Sequence, residues 1–174
     1  MKTNSFRIVF DRDILGKTVH GGEQDELALA NALYEAGLDD CSFLIDGGEP
    51  CLDCDVENAQ SLKEAVRSVL RRISKCGKPF RVARLEPGNL VTPSEIARRL
   101  GVSRQHIQQL IFGLRGPGGF PQPFCRVSDK SAVYQWTDVV HWMQAHQYLK
   151  KAEIVKNAEE MEKLNRNLAT AVMA

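Results

Sequence analysis

The sequence has no uninterrupted apolar run near the 18 or so residues that a membrane span needs. Its first ten residues, MKTNSFRIVF, also lack the long apolar stretch of a secretory signal. A cytoplasmic protein without membrane contact is therefore expected. Cysteines are few and odd in number: Cys41, Cys51, Cys54, Cys76 and Cys125. That set fits reduced thiols better than a disulfide framework. Structural zinc wants four ligands, and the single CxxC pair, Cys51 and Cys54, supplies two that point to opposite faces of an extended strand. The acidic residues Asp39, Asp40, Asp46, Asp53 and Asp55 fit a solvated face or a partner surface better than a cation site. His141 and His146 are five apart, the wrong spacing for sharing a metal on one helical face. No metal and no cofactor are expected. No glycine pattern matches GxGxxG or a P-loop, so His20-Gly21-Gly22 and Asp46-Gly47-Gly48 read as turns. No Ser/His/Asp or Cys/His constellation can be singled out either, and the reading is of a protein that is not an enzyme.

A surplus of one charge is missing too. Lys and Arg number 23 against 22 Asp and Glu, a net of +1 over 174 residues, which at first argues against a nucleic-acid binder. The average conceals a gradient. Residues 1–55 carry 4 basic and 12 acidic side chains, residues 56–89 carry 8 and 3, residues 90–135 carry 6 and 2, and residues 136–174 carry 5 of each. Only the middle suits a phosphate backbone, and the acidic front is expected to face away from it. With 43% hydrophobic residues the chain can bury a core.

What is present divides into two small domains and a tail. Residues 6–10 alternate like a strand. Residues 25–36 place Leu27, Ala30, Leu33 and Tyr34 at helical spacing before Gly37. Residues 41–45 and 51–56 read as strands about the Asp46-Gly47-Gly48 turn. Residues 59–74 carry Leu62, Ala65, Val66, Val69, Leu70 and Ile73 on one helical face, and residues 80–85 close the series as a strand. The order β-α-β-β-α-β is the split βαβ of ferredoxin-like domains, predicted here over residues 1–86. The segment 86–89, Glu-Pro-Gly-Asn, reads as a boundary.

From Thr92 the chain runs TPSEIARRLGVSRQHIQQLIFGLRGPGGF. Thr92 is a good N-cap, Pro93 suits the first helical position, and Glu95 completes a capping box. A helix over 93–100 stops at Gly101, and Ser103 caps a second over 104–112. Two short helices about such a turn define a helix-turn-helix, whose second helix enters the DNA major groove. Ile96, Ala97, Leu100, Val102, Ile107, Leu110 and Ile111 form one apolar set. Ser103, Arg104, Gln105, His106, Gln108 and Gln109 form the opposite face. Arg pairs with guanine and Gln with adenine in that groove.

The spacing Ala97-x3-Gly101-Val102-Ser103-x3-Ile107-x2-Leu110 resembles bacterial helix-turn-helix regulators. With Arg115-Gly116-Pro117-Gly118-Gly119-Phe120-Pro121, a hairpin and a Trp142 helix following, residues 90–146 are similar to the winged helix-turn-helix of the excisionase and MerR-like group. The resemblance implies a wing, here residues 124–127 and 132–135 joined by 128–131, that touches the DNA backbone or minor groove. It makes Arg126 and Lys130 phosphate contacts, joined by Arg115 and Thr92. Thr137 is expected to cap the helix that packs Val139, Val140 and Trp142 beneath the motif, with Trp136 in the same core.

Residues 147–174 read as a helix. Ile154, Met161 and Leu168 recur every seven residues, with Leu164 on the same side, which suggests a homodimer seam. The whole is an α+β protein read as a sequence-specific double-stranded DNA-binding regulator, a repressor or autoregulator. Two further readings differ in emphasis. One is an antitoxin or defence-system accessory whose acidic residues 1–86 hold a protein partner. The other is an excisionase-like protein that bends DNA.

Overall fold

The computed structural model describes residues 3–16 and 23–173, and the turn expected at His20, Gly21 and Gly22 lies outside them. The chain divides into two units. One runs up to Pro87 and resumes at Lys163, and the other is Gly88–Glu162.

The first unit follows the expected order: β1 (Thr3–Phe10), α1 (Glu23–Glu35), β2 (Cys41–Asp46), β3 (Glu49–Glu57), α2 (Leu62–Ile73) and β4 (Val82–Glu86). The strands form one sheet in the order β2-β3-β1-β4, with every neighbouring pair antiparallel. That is the order a split βαβ arrangement demands, because β3 lies between β1 and β2, and β1 lies between β3 and β4. One face carries Phe6, Ile8, Phe10, Leu52, Cys54, Val56 and Leu85 into the core. Ser61 caps α2 by accepting from the Glu64 amide at 3.1 Å, and Leu62, Ala65, Val66, Val69 and Ile73 are buried along the helix. Each larger side chain there contributes about 1.5–3 kcal/mol by leaving water.

α1 departs from expectation. Leu29 and Leu33 are its buried residues, whereas Leu27 and Tyr34 are 61% and 68% exposed. The buried pair sits one helical turn apart and Leu38 continues it past the helix end, so the core-facing stripe is narrower and rotated from the one the spacing suggested.

The other sheet face is charged. Arg7 donates to Asp53 at 2.6 Å and to Asp46 at 2.7 Å, and Arg84 pairs with Glu49 at 2.6 Å and Glu86 at 2.9 Å. A 3-10 turn, Arg12–Leu15, packs against β3 and buries Leu15. Cys51 and Cys54 do point to opposite faces, yet both are buried, since Val9 and Cys51 form a small apolar patch on the charged side.

The second unit contains β5 (Leu90–Val91), α3 (Pro93–Leu100), α4 (Arg104–Ile111), β6 (Cys125–Ser128), β7 (Ser131–Gln135) and α5 (Trp136–Ala145). It also takes the start of α6 (Ala152–Met173). The strands run β5-β7-β6, all antiparallel. Ile96, Ile107, Leu110, Val139, Val140, Met143, Val155 and Ala158 make the core.

Two expectations fail here. Val102 is 40% exposed and stands outside the apolar set, because Gly101 at φ +67° turns the chain away after α3. Thr137 does not cap α5, being its second residue. The cap comes from 48 residues away: Asn89 Oδ1 accepts from the Thr137 amide at 2.9 Å, and Asn89 Nδ2 donates to the Thr137 hydroxyl at 3.3 Å. The two units divide inside the segment read as a boundary, between Pro87 and Gly88, and its last two residues join the second unit's frame, Gly88 by accepting from Arg99 at 3.0 Å.

Candidate nucleic-acid interface

Local sequence sets α3 and α4 as the residues predict. Thr92 Oγ1 accepts from the Glu95 amide at 3.2 Å, and Ser103 Oγ accepts from the His106 amide at 3.1 Å. Both hydroxyls thereby satisfy amides that a helix leaves without an internal acceptor. The Glu95 carboxylate makes its bonds to Arg98 and Arg99, where a full capping box would have sent it back to Thr92. The Arg98 guanidinium beside it, with Arg99, draws the Glu95 carboxyl down to about 2. Arg99 also lies over the Trp136 ring at 5.1 Å, which ties α3 to the start of α5.

The Gly-rich segment after α4 is pinned by aromatic packing. The Gln109 carbonyl accepts from the Leu114 and Arg115 amides and closes the helix. Phe120 then wedges between Tyr134 and Trp142, at ring separations of 5.6 and 5.1 Å, and Tyr148 stacks on Trp142 at 5.6 Å. Gly116 passes so close to Tyr148 that a Cβ would come within 2.6 Å of its hydroxyl. With the chain held there, β6 and β7 return as a hairpin whose tip is Asp129-Lys130.

These elements surround one surface cleft of about 560 Å³. Thr92 and Ser94 line it from the α3 N-terminus, Arg104 and Gln108 from α4, and Arg126 and Lys130 from the hairpin. Of the ten residues assigned to DNA contact, the cleft therefore gathers Thr92, Arg104, Gln108, Arg126 and Lys130. Gln105 is exposed and Gln109 half-buried, and neither lines it. Ser103 is committed to its cap. His106 faces Tyr148, edge to face at 6.5 Å, on another side of α4. Arg115 is exposed beyond the helix end.

Charge separates this surface from the rest of the unit. Among the described residues, Arg104, Arg115, Arg126 and Lys130 have no carboxylate partner, while Arg98 and Arg99 are both paired. Asp129 is the acidic residue lining the cleft. Sequence reading missed Phe112, which lines the cleft and is 72% exposed, because the helical period counted it as the last turn of the helix.

The remaining candidates sort differently. Met161 is buried, Ile154 is half-buried and packs on the second unit's core, and Leu164 and Leu168 are half-buried. The residue after Leu164 is engaged: Asn165 accepts from the Leu85 amide at 2.7 Å and donates to its carbonyl at 2.9 Å, covering the β4 edge. Burial pushes the Cys51 thiol up, and a hydrogen bond with Cys41 together with burial does the same to Cys54, which favours the protonated thiol in both. His141 pairs with Glu159 at 2.6 Å, and the His146 ring lies 4.7 Å from Trp142. Trp136 and Trp142 are buried. Among the described residues no group of three His, Cys, Asp or Glu is placed to hold a metal ion. No helix there is long and apolar enough to cross a membrane.

No family model matches the chain, and neither a curated protein nor a solved structure matches it.

Proposed function

We propose that the protein is a sequence-specific double-stranded DNA-binding protein, a repressor or autoregulator, whose second unit works as a winged helix-turn-helix of the excisionase and MerR-like kind. α4 enters the major groove with Arg104, Gln105, Gln108 and Gln109 toward base edges. Arg126 and Lys130 of the hairpin, Arg115 beyond α4 and the first turn of α3 take the phosphates. The protein binds and positions; no reaction is assigned to it. The observation that carries this reading is the gathering of Arg104, Gln108, Arg126 and Lys130 around one cleft with their cations uncommitted.

The two classes of contact predict different losses. Arg104→Ala should cost about 1–3 kcal/mol of affinity for a selected site and relax its sequence preference. Lys130→Ala should weaken binding to all duplexes alike and reduce the salt slope by about 0.9. Mobility shifts over a salt series, on fragments the protein selects from a random pool, measure both. Unchanged affinity in both variants defeats the assignment.

A second reading, DNA bending, has one observation in its favour. Val127 is 76% exposed, at a break in the β6–β7 register between Arg126 and Ser128. An exposed apolar side chain next to Arg126 is the kind of wedge that unstacks a base step. Circularly permuted fragments carrying the selected site would migrate alike if the complex is straight, which removes this reading.

A further inference from the structure

We propose that the outer face of α2, with Arg67 and Arg71, and Lys75 just past its end, is a second DNA contact, one that grips the phosphate backbone and reads no bases. It rests on the DNA-binding reading only for the choice of duplex DNA as the polyanion.

Residues 65–85 hold seven cations and no acid. Two of them are answered from elsewhere in the first unit: Arg72 by Asp40 at 2.9 Å, and Arg84 by Glu49 at 2.6 Å. Arg67, Arg71 and Lys75 are exposed and have no partner among the described residues. Arg67 and Arg71 are four residues apart, a rise of about 6 Å, so they stand on one face of the helix, and Lys75 follows two residues past its end at Ile73. Arg67 and Arg71 border a cleft of about 410 Å³ with Lys63 and the hydroxyl-bearing Ser68, and with Ser61, which is committed to the α2 cap. The acid in that lining, Glu64, is occupied in accepting from the Gln60 amide at 2.9 Å.

An ordinary solvated helix face does not account for these cations. The helix dipole favours cations in the last turn, which covers Arg71 and Arg72. It gives no reason for Arg67 at mid-helix. Like charges one turn apart also repel, whereas a face serving only solvation gains from mixed signs. No aromatic side chain lines the cleft, so stacking on unpaired bases, the usual means of holding a single strand, is not provided. The features that remain, exposed cations with the Ser68 hydroxyl beside them, suit backbone phosphates.

The test uses the full chain with Arg67→Gln/Arg71→Gln/Lys75→Gln, since glutamine keeps helix propensity, and circular dichroism confirms the fold. Binding to a duplex of arbitrary sequence is followed by fluorescence anisotropy across a salt series. The salt slope should become shallower by about 2 to 3, at roughly 0.9 for each phosphate that is no longer neutralised. The preference for a selected site over the arbitrary duplex should stay unchanged. In a chain carrying Arg104→Ala/Arg126→Ala/Lys130→Ala, residual binding should persist and vanish when the α2 substitutions are added. If the α2 variant keeps the wild-type slope while the cleft variant flattens it, the α2 contact is overturned and the DNA-binding reading stands. If neither variant alters the slope, both fall. An unchanged slope accompanied by a shift in sedimentation would make this face an interface between protein chains, and would also overturn the proposal.

Discussion

Asn89→Ala offers the sharpest test of how the second unit is held together. In the folded chain, Asn89 Oδ1 accepts from the Thr137 amide at 2.9 Å, and its Nδ2 donates to the Thr137 hydroxyl at 3.3 Å. Thr137 is 6% exposed, so water does not replace a missing partner. Loss of the cap itself costs about 1 kcal/mol. That cost is the amide left without an acceptor, and burial raises it to about 2–3 kcal/mol. The bond from the Trp136 amide to the Asn89 backbone carbonyl, 2.6 Å, survives the substitution, which limits the total to about 2–3 kcal/mol. Asn89→Asp keeps the acceptor and adds a negative charge at the α5 N-terminus, so it should remain within about 1 kcal/mol of wild type. The assay is urea unfolding followed by tryptophan fluorescence. Trp136 and Trp142 are the chain's two tryptophans and both lie in the second unit, so the signal reports that unit. If Asn89→Ala unfolds within about 0.5 kcal/mol of wild type, below the smallest usual cost of a missing cap, or if Asn89→Asp is as damaged as Asn89→Ala, the long-range cap is not what holds α5.

Two further expectations follow from the same unit. Gly116→Ala should destabilise it by about 2 kcal/mol, through a left-handed backbone and the crowding of Tyr148 and Leu110. Adding Tyr148→Phe should recover part of that loss, and a double-mutant cycle in urea that shows strict additivity rejects the contact. Glu95 has its folded carboxyl lowered from 4.5 to about 2, first by Arg98, so its contribution is complete above about pH 4.5 and is lost as pH falls toward 2. Screening at this partly exposed site holds that contribution to about 1 kcal/mol. The stability gap between wild type and Glu95→Gln should therefore close between about pH 5 and pH 2, and a constant gap contradicts the ion pairs.

Local rules carried the reading of α3 and α4, since caps, the Gly101 turn and helical periodicity act within a few residues. Thr92, Pro93, Gly101 and Ser103 sit where those rules put them. The βαββαβ order was legible for the same reason. What escaped was settled by partners far away in sequence. The α5 cap depends on Asn89, and Leu85 is held by Asn165, 80 residues on. The orientation of α1 depends on which of several leucines the sheet accepts, and its own periodicity allows more than one answer. The seven-residue repeat of α6 is real, but Ile154 spends it on the unit's own core.

Charge shows the same limit most plainly. By segment the front of the chain is strongly acidic, yet the first folded unit holds 14 basic and 15 acidic side chains and the second holds 9 and 7. Asp40, Asp46, Glu49 and Asp53 are brought opposite arginines of β1, α2 and β4, so much of the front's negative charge is answered inside the unit. What distinguishes cations is whether a carboxylate answers them, which a count cannot say. Arg71 and Arg72 are neighbours in sequence, but successive helical residues point about 100° apart. Arg72 turns to Asp40 and to the Gly37 carbonyl, while Arg71 borders an open cleft. Arg72→Gln should accordingly cost about 1–2 kcal/mol of stability in the first unit and leave the salt dependence of DNA binding as it is. Arg71→Gln should do the reverse, leaving stability near wild type and flattening the slope by about 0.9. Circular dichroism in urea and anisotropy over a salt series read the two quantities separately. Equal behaviour of the two variants in both assays would show that pairing does not decide which cations are free to meet phosphate.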